Sequence, residues 1–481
     1  MPTTAIIGAG FSGTITALNL LAFDVLDPSR VVMFERAGKF GPGLAYSTRA
    51  LVHYLNVPAG NMSAWEHDPQ HFIRWLQHRN PAASGASFVS RGWYGDYLRE
   101  QLDAARVRFH DRLELKSASV LGIHPRPDGR LDIHDSNNQI TIADRAVLAL
   151  GNFPSPHPPG ATPALIGHPG YINNPWQPDA ITCILPHEPV LMVGTGLTMM
   201  DIVMQLHARE HAGRMIAISR HGLLPRPHRS PARPLGNKPA PDLLANWNGS
   251  TRHLLHLLRQ AVRDHAARGI DWRDVVASLR PVTAQLWQRL DAHERARFLS
   301  RIRSFWEVIR HRAAPESSAA VADLLAARQL SIRAGRILSI EPVGRLIEVT
   351  FRPRRSENRQ CVRVSRVINC LGPQTDISAI SDPLVQQLRT DGLITADPHG
   401  LGLAVSSSGE SIRRDGTVDP SLLVIGPLRK GQHWENTAVP ELRRQAAELA
   451  KLCMASPTII TRNAAAIGYP SATIAHPTSP D

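Results

Sequence analysis

Two segments of the chain carry glycines at the spacing with which a peptide backbone can grip a diphosphate. The first is Ile6-Ile7-Gly8-Ala9-Gly10-Phe11-Ser12-Gly13, an apolar run followed by Gly-x-Gly-x-x-Gly, and Thr14 to Leu21 continue it as a helix. Gly8 permits a tight turn, Gly10 lets a pyrophosphate approach the backbone, and Gly13 lets the helix pack on the strand. The amides around Phe11 and Ser12, with the helix dipole behind them, then face the phosphates. Glu35 ends the next apolar run, Val31-Val32-Met33-Phe34, where a carboxylate takes ribose hydroxyls. Three glycines beside a strand can be no more than a turn. Here position, flanking periodicity and acid agree on a dinucleotide. The second segment, Val193-Gly194-Thr195-Gly196-Leu197-Thr198-Met199-Met200-Asp201, repeats the pattern with Met199 in the third glycine's place, so its helix is expected to pack farther from its strand. The following run, Met215-Ile216-Ala217-Ile218, ends in Ser219-Arg220-His221 with no acid. Arg220 suits a 2′-phosphate, which favours NADPH over NADH; otherwise it is a surface charge on a loop.

The elements that must position these loops are visible in the hydropathy pattern. Apolar runs ended by glycine recur at Ala146 to Gly151, Val190 to Gly194, Val367 to Gly372 and Leu422 to Gly426. Each reads as a buried parallel strand delivering a turn at its C-terminal end, the edge where open parallel sheets bind ligands. Residues 154–178 and 225–241, rich in Pro, Gly and Asn, read as loops. Leu254, Leu255, Leu257, Leu258 and Val262 set a helical period for an insertion over about 243–312. Residues 331–364 alternate apolar and polar, which predicts strands returning to the first domain. The expected fold is α/β with two Rossmann-like dinucleotide-binding domains: a first part over 1–165, a second domain over 166–345 containing the insertion, a return over 346–456, and a tail over 457–481 without a core pattern.

Bulk properties exclude several classes. No stretch of the 481 residues reaches the roughly 18 consecutive apolar residues of a membrane span, and no signal peptide is visible. Cys183, Cys361, Cys370 and Cys453 form no Cys-x-x-Cys pair, which points to a reducing, cytoplasmic setting. The net charge of +13 raises a nucleic-acid partner. Yet the basic residues are spread along the chain, and in 252–312 they alternate with acidic and apolar ones, as on a solvated helical face. The expectation is no nucleic acid, no membrane, and a small, often anionic, partner; a homo-oligomer is compatible with the sequence. His253 with His256, and His207 with His211, have helical spacing but no completing ligands, so no metal is expected. Gly-x-Ser-x-Gly is absent, which argues against serine hydrolysis. His53, His221, His228 and His433 could orient a substrate or relay a proton; a structural role is the commoner one. No side chain is singled out as catalytic.

Several segments taken together resemble one family. Gly41-Pro42-Gly43-Leu44-Ala45-Tyr46, His53-Tyr54-Leu55-Asn56-Val57-Pro58-Ala59, Gly194 to Thr198, Ser219 to Pro225, Asn369-Cys370-Leu371-Gly372-Pro373, Gly426-Pro427-Leu428, Trp434-Glu435 and Ala438-Val439-Pro440-Glu441 are similar to the FAD/NAD(P)-binding family that includes the bacterial FAD-dependent urate hydroxylase and aspartate N-monooxygenases. It is more distantly similar to lysine and ornithine N-hydroxylases. The resemblance implies FAD at the first loop and NAD(P)H at the second. It places residues 41–63 beside the isoalloxazine ring and Gly426 near the flavin or its phosphates. The residues are compatible with that: Gly43 permits close approach, Asn56 can donate to a flavin carbonyl or cap its own turn, and Pro58 stiffens the loop. By the resemblance Trp434 and Glu435 would wall the flavin pocket; otherwise they simply start the final helix at 440–452. The implied activity is flavin-dependent monooxygenation with NAD(P)H and O2, with urate, hydroxylated to 5-hydroxyisourate, as leading substrate. N-hydroxylation of an amino acid or small amine is the alternative, and a low-turnover FAD/NAD(P)-binding redox protein is the other class.

Overall fold

The computed structural model describes residues 1–23, 29–229 and 245–454. The expected tail over 457–481, the end of the 225–241 loop and the first residues of the insertion lie outside the described residues. In chain order the strands are β1 (Thr3–Ile7), β2 (Arg30–Phe34), β3 (Leu113–Lys116), β4 (Val120–Pro125), β5 (Leu131–Asp135), β6 (Ile140–Ala143) and β7 (Arg145–Leu148). They continue with β8 (Tyr171–Ile172), β9 (Val190–Val193), β10 (Met215–Ser219), β11 (Leu330–Val343), β12 (Leu346–Pro353), β13 (Gln360–Val364), β14 (Arg366–Asn369), β15 (Glu410–Ile412) and β16 (Val418–Val424).

The first sheet has the order β15-β16-β7-β1-β2-β3. Its centre is parallel, with Ile7 level with Phe34 on one side and Leu148 on the other. Alternate residues of β1 serve opposite faces. Ile6 packs with Ile15, Leu18 and Leu449, whereas Ala5 and Ile7 pack with Ile123, Ile133 and Leu388. Both faces are therefore dry, which is why the strands read as unbroken apolar runs. The first face is covered by helix Phe11–Phe23 lying against helix Val439–Met454. Each fully buried Leu or Ile there contributes about 1.5–3 kcal/mol.

The second sheet has the order β13-β12-β11-β10-β9-β14-β8. It repeats the plan of the first. Helix Leu197–Ala208 joins β9 to β10 as Phe11–Phe23 joins β1 to β2, and each unit inserts a three-stranded meander before its fourth core strand: β4 to β6 ahead of β7, and the far half of β11 with β12 and β13 ahead of β14. The packing is also repeated. A side chain on Gly8 would lie 2.4 Å from the carbonyl of Ala149 just past β7, and one on Gly194 2.7 Å from that of Cys370 just past β14.

The return to the first sheet differs from the sequence expectation. Strands over 346–369 pair within the second sheet, and the chain rejoins the first only at β15 and β16. The reason is β11. It runs parallel to β10 from Leu330 to Ala334 and then, from Gly335, antiparallel to β12. The apolar alternation of Ile340, Ile347, Val349 and Phe351 faces Leu191 and Ile216 of the second core, so the hairpin stays with that sheet.

Residues 245–312 are helical, as the period predicts, in short helices from Thr251–Ala266 to Arg303–Arg310. Ser250, Asp271 and Asp291 cap three of them by accepting from N–H groups of the first turn. No helix among the described residues is long and apolar enough to cross a membrane.

Candidate dinucleotide and substrate site

The first glycine loop is packed so closely that side chains are excluded. A Cβ on Gly13 would sit 1.9 Å from the Gly8 carbonyl oxygen, so helix and strand meet through bare backbone. Gly43, at φ +56°, presses on the same loop, since a Cβ there would lie 2.7 Å from the Gly10 Cα. The Gly41 N–H donates to the Ala9 carbonyl at 2.8 Å, which fixes the 41–46 segment over the loop. From the other end of the chain Gly426, at φ +93°, comes up against Ser12, whose Oγ would be 3.1 Å from an added Cβ. Asn436 Nδ2 holds this turn by donating to the Gly426 carbonyl at 3.0 Å. Gly8, Gly10, Phe11, Ser12, Gly13, Gly43 and Gly426 are thus brought together. The amides opening helix Phe11–Phe23 have no acceptor inside the helix. A backbone cradle without side chains, at a helix N-terminus, fits the diphosphate of a dinucleotide.

Glu35 stands at the tip of β2, where a ribose carboxylate belongs. Its two oxygens accept from the N–H groups of Ala9 and Ala37, each at 3.1 Å. The side chain therefore also fixes the glycine loop, a role the motif does not announce.

The segment His53 to Pro58 lies between the two units. Tyr54, Asn56 and Arg91 face Leu197, Asp201 and Ala313 across a cavity of about 110 Å³. Asn56 does not cap its own turn. Its carbonyl accepts from His228 Nε2 at 2.9 Å, which ties this loop to the second unit. Pro58 is buried and leads into the single turn Ala59–Asn61. Across the cleft Arg91 pairs with Asp201 at 2.7 Å. Burial raises the Asp201 carboxyl to about 6 although Arg91 pulls the other way. His53, 2 % exposed, is bonded through Nδ1 to Thr48 Oγ at 2.7 Å and packs edge-on to Trp176. Burial, then Arg91, brings it down to about 4, so it is neutral. His228 and His433 are likewise brought down to about 4, chiefly by burial.

At the second loop Gly196 is open, with nothing near an added Cβ, and Leu197 and Thr198 are half-buried at the start of the helix. Met199 is fully buried among Val190, Met192 and Ile368, so it fills the space between helix and sheet. Thr195 Oγ bonds Ser219 Oγ at 2.8 Å and donates to the Leu223 carbonyl at 2.6 Å. This brings the tip of β10 against the glycine loop. Arg220 is exposed there. Burial, followed by Arg354 and Arg220, lowers the neighbouring His221, so both arginines act on its ring.

Trp434 and Glu435 turn toward the helical insertion. Trp434 stacks on Trp287 with centroids 4.8 Å apart, and the buried Glu435 carboxylate accepts from Trp306 Nε1 and from Arg310 Nε, the latter at 2.6 Å. Among the described residues no three His, Cys, Asp or Glu side chains converge as a metal site. Sequence reasoning did not single out Arg91, Asp201 or Arg310. Their signal lies in which units face each other, and no local spacing carries it.

Residues 5–153 match the model of a family described as FAD-NAD(P)-binding, which agrees with the cradle at the first loop and with the FAD and NAD(P)H expected from the sequence. No curated protein matches the chain. Among solved structures, the ornithine hydroxylase of Pseudomonas aeruginosa is similar with a TM-score of 0.63 at 14% identity, covering 94% of this chain and 99% of that one. The cadaverine monooxygenase of Erwinia amylovora, bound to FAD, gives 0.62 at 12%, covering 98% and 99%. The ornithine N-hydroxylase of Kutzneria sp. 744, described with reduced FAD, NADP+ and L-ornithine, gives 0.57 at 15%, covering 94% and 98%. At these identities the likeness is one of fold, the mixed α/β architecture with two dinucleotide-binding units.

Proposed function

We propose that the chain is a flavin-dependent monooxygenase that N-hydroxylates an amino acid or a small amine, with FAD at the Gly8 to Gly13 loop and NADPH at the Gly194 to Thr198 loop. The observation that carries the reading is extent together with closeness: the likeness to ornithine and cadaverine hydroxylases covers 94% and 98% of this chain at TM-scores of 0.63 and 0.62, against 0.51 for a thioredoxin reductase covered to 94%. Urate hydroxylation, the sequence's leading expectation, draws no support from these likenesses. The overall reaction would be R–NH2 + O2 + NADPH + H+ giving R–NHOH + H2O + NADP+. Bound FAD supplies the electron transfer from NADPH to O2. The protein's share is positioning and dryness. Gly10, Gly43 and Gly426 hold the diphosphate. The segment His53 to Pro58 walls the space between the units, and the neutral, buried His53 keeps that space free of an extra cation. Arg220, beside the His221 on which Arg354 also acts, provides for a 2′-phosphate.

The test is NAD(P)H oxidation by the purified protein with ornithine, lysine, cadaverine, aspartate and urate, with hydroxylamine and peroxide measured separately. An amine that accelerates oxidation and yields hydroxylamine supports the reading; loss of urate absorbance coupled to oxidation, with no amine active, sinks it. In the same assay Arg220→Ala should raise KM for NADPH on the order of tenfold, the loss of one charge-assisted contact, and leave KM for NADH unchanged.

A further inference from the structure

We infer that Arg312 is the anchor for a carboxylate on the substrate, so that this site selects an amino acid over the corresponding decarboxylated amine. The inference rests on the reading of the cleft as a substrate site. Arg312 is 6 % exposed, its Nε has no hydrogen-bond partner among the described residues, and the Trp272 ring lies 5.9 Å from the guanidinium carbon. The carboxylates around it are already taken. Asp274 pairs with Arg229 at 3.0 Å, Asp271 with Arg273 at 3.2 Å and with Arg229 at 3.6 Å, and Glu435 with Arg310 at 2.6 Å. Among the described residues each of these carboxylates thus already holds another guanidinium, and Arg312 makes no ion pair. Burial, then Arg310 and Arg273, lowers it to about 10, as expected of a cation lacking its counter-ion. A protein rarely buries a charge without a partner, because desolvation is repaid only by pairing.

Its place in the fold says what that partner is. The next residue, Ala313, lines the cavity with Tyr54, Asn56 and Arg91. The Ala313 carbonyl also accepts from the N–H of His228 at 3.0 Å, and His228 in turn donates to Asn56. Arg312 thus adjoins the wall between the two units. The charged groups that act on it are Arg310, Arg273, Asp271 and Asp274, none of which lies on a glycine loop. The Arg312 charge acts on His228, whose ring bonds the carbonyl of the lining residue Asn56, and a planar guanidinium short of an anion, one residue from a cavity wall, is matched by a carboxylate.

The experiment titrates the FAD-loaded protein with L-lysine, L-ornithine and L-aspartate, and with cadaverine, which is lysine without its carboxylate. Flavin absorbance and the shift in thermal midpoint are followed, so no turnover is needed. At least one carboxylated probe should bind, and lysine should bind at least tenfold more tightly than cadaverine, a ratio typical of one charge-assisted contact. Arg312→Gln should bring that ratio to near one while KM for NADPH stays the same, and Arg312→Lys should keep part of it. A ratio unchanged in Arg312→Gln, cadaverine binding as well as lysine in the unsubstituted protein, or no saturable binding of any carboxylated probe each overturns the inference. If Arg312→Gln does not fold, the unsubstituted protein and Arg312→Lys still decide. Hydroxylation of cadaverine alone would sink Arg312 and leave N-hydroxylation standing.

Discussion

At the scale of single residues, the glycines of the first loop do different work. Gly13 is closed by the Gly8 carbonyl, so any side chain there breaks the fold itself. A Cβ on Gly10 would meet only Gly43, its Cα at 3.4 Å, an ordinary contact, and what a larger side chain would invade is the space proposed for the diphosphate. Gly10→Val should therefore purify folded but nearly colourless, with bound FAD reduced roughly tenfold or more, while Gly13→Val should be insoluble or unfolded. Flavin content and far-UV circular dichroism check both; a yellow Gly10→Val protein would move FAD elsewhere. These residues were legible because only glycine fits them, and a forced residue type at fixed spacing shows in sequence. Asn56 was legible as a position but not as a contact. Its bond is made by its carbonyl, which every residue possesses, to a histidine 172 positions away.

At the scale of elements, the glycine-ended parallel strands were readable because both faces are buried and the runs are unbroken. The meander over β11 to β13 was readable as strands but not as to which sheet it serves, since a period of two fixes a face and says nothing of the neighbour. The helical insertion was readable by its period, yet its attachment was not. It is held to the loop after β16 by Trp287 donating to the Gly431 carbonyl at 2.7 Å and by Glu435 gripping Arg310 and Trp306. Glu435 has φ +70°, a conformation that costs about 1–2 kcal/mol in a non-glycine residue. The buried pair sustains it. Glu435→Ala, which strands Arg310, should cost about 3–5 kcal/mol in urea-induced unfolding. Joining Glu435→Leu to Arg310→Met should recover most of that. A double variant no more stable than Glu435→Ala would mean that the pair is not what holds the insertion.

At the scale of the whole molecule, the units meet through neutral histidines. His53 and His228 are both held to about 4, below their ordinary 6.5. A depressed folded value means that the contribution to stability is complete above about 6.5 and is lost as pH falls toward 4, because the unfolded chain takes up protons that the folded one refuses. Asp201, raised to about 6, acts in the opposite sense, but one carboxyl displaced by about two units is outweighed by two histidines each displaced by more. The thermal midpoint should fall between about pH 7.5 and about pH 5, and His228→Gln, which keeps a donor for the Asn56 carbonyl without titrating, should fall less. Parallel decline in both proteins would acquit this histidine. The first sheet is drawn from both ends of the described chain, with β1, β2, β3 and β7 closed by β16 and by the helix Val439–Met454. On the ribosome, every strand of the second sheet has therefore emerged before the first can be completed. The nascent chain carries the glycine loop proposed here for FAD, with its helix Phe11–Phe23 still lacking the Val439–Met454 cover, through synthesis of about three hundred residues. The sheet that begins first in sequence is accordingly the one completed last in synthesis.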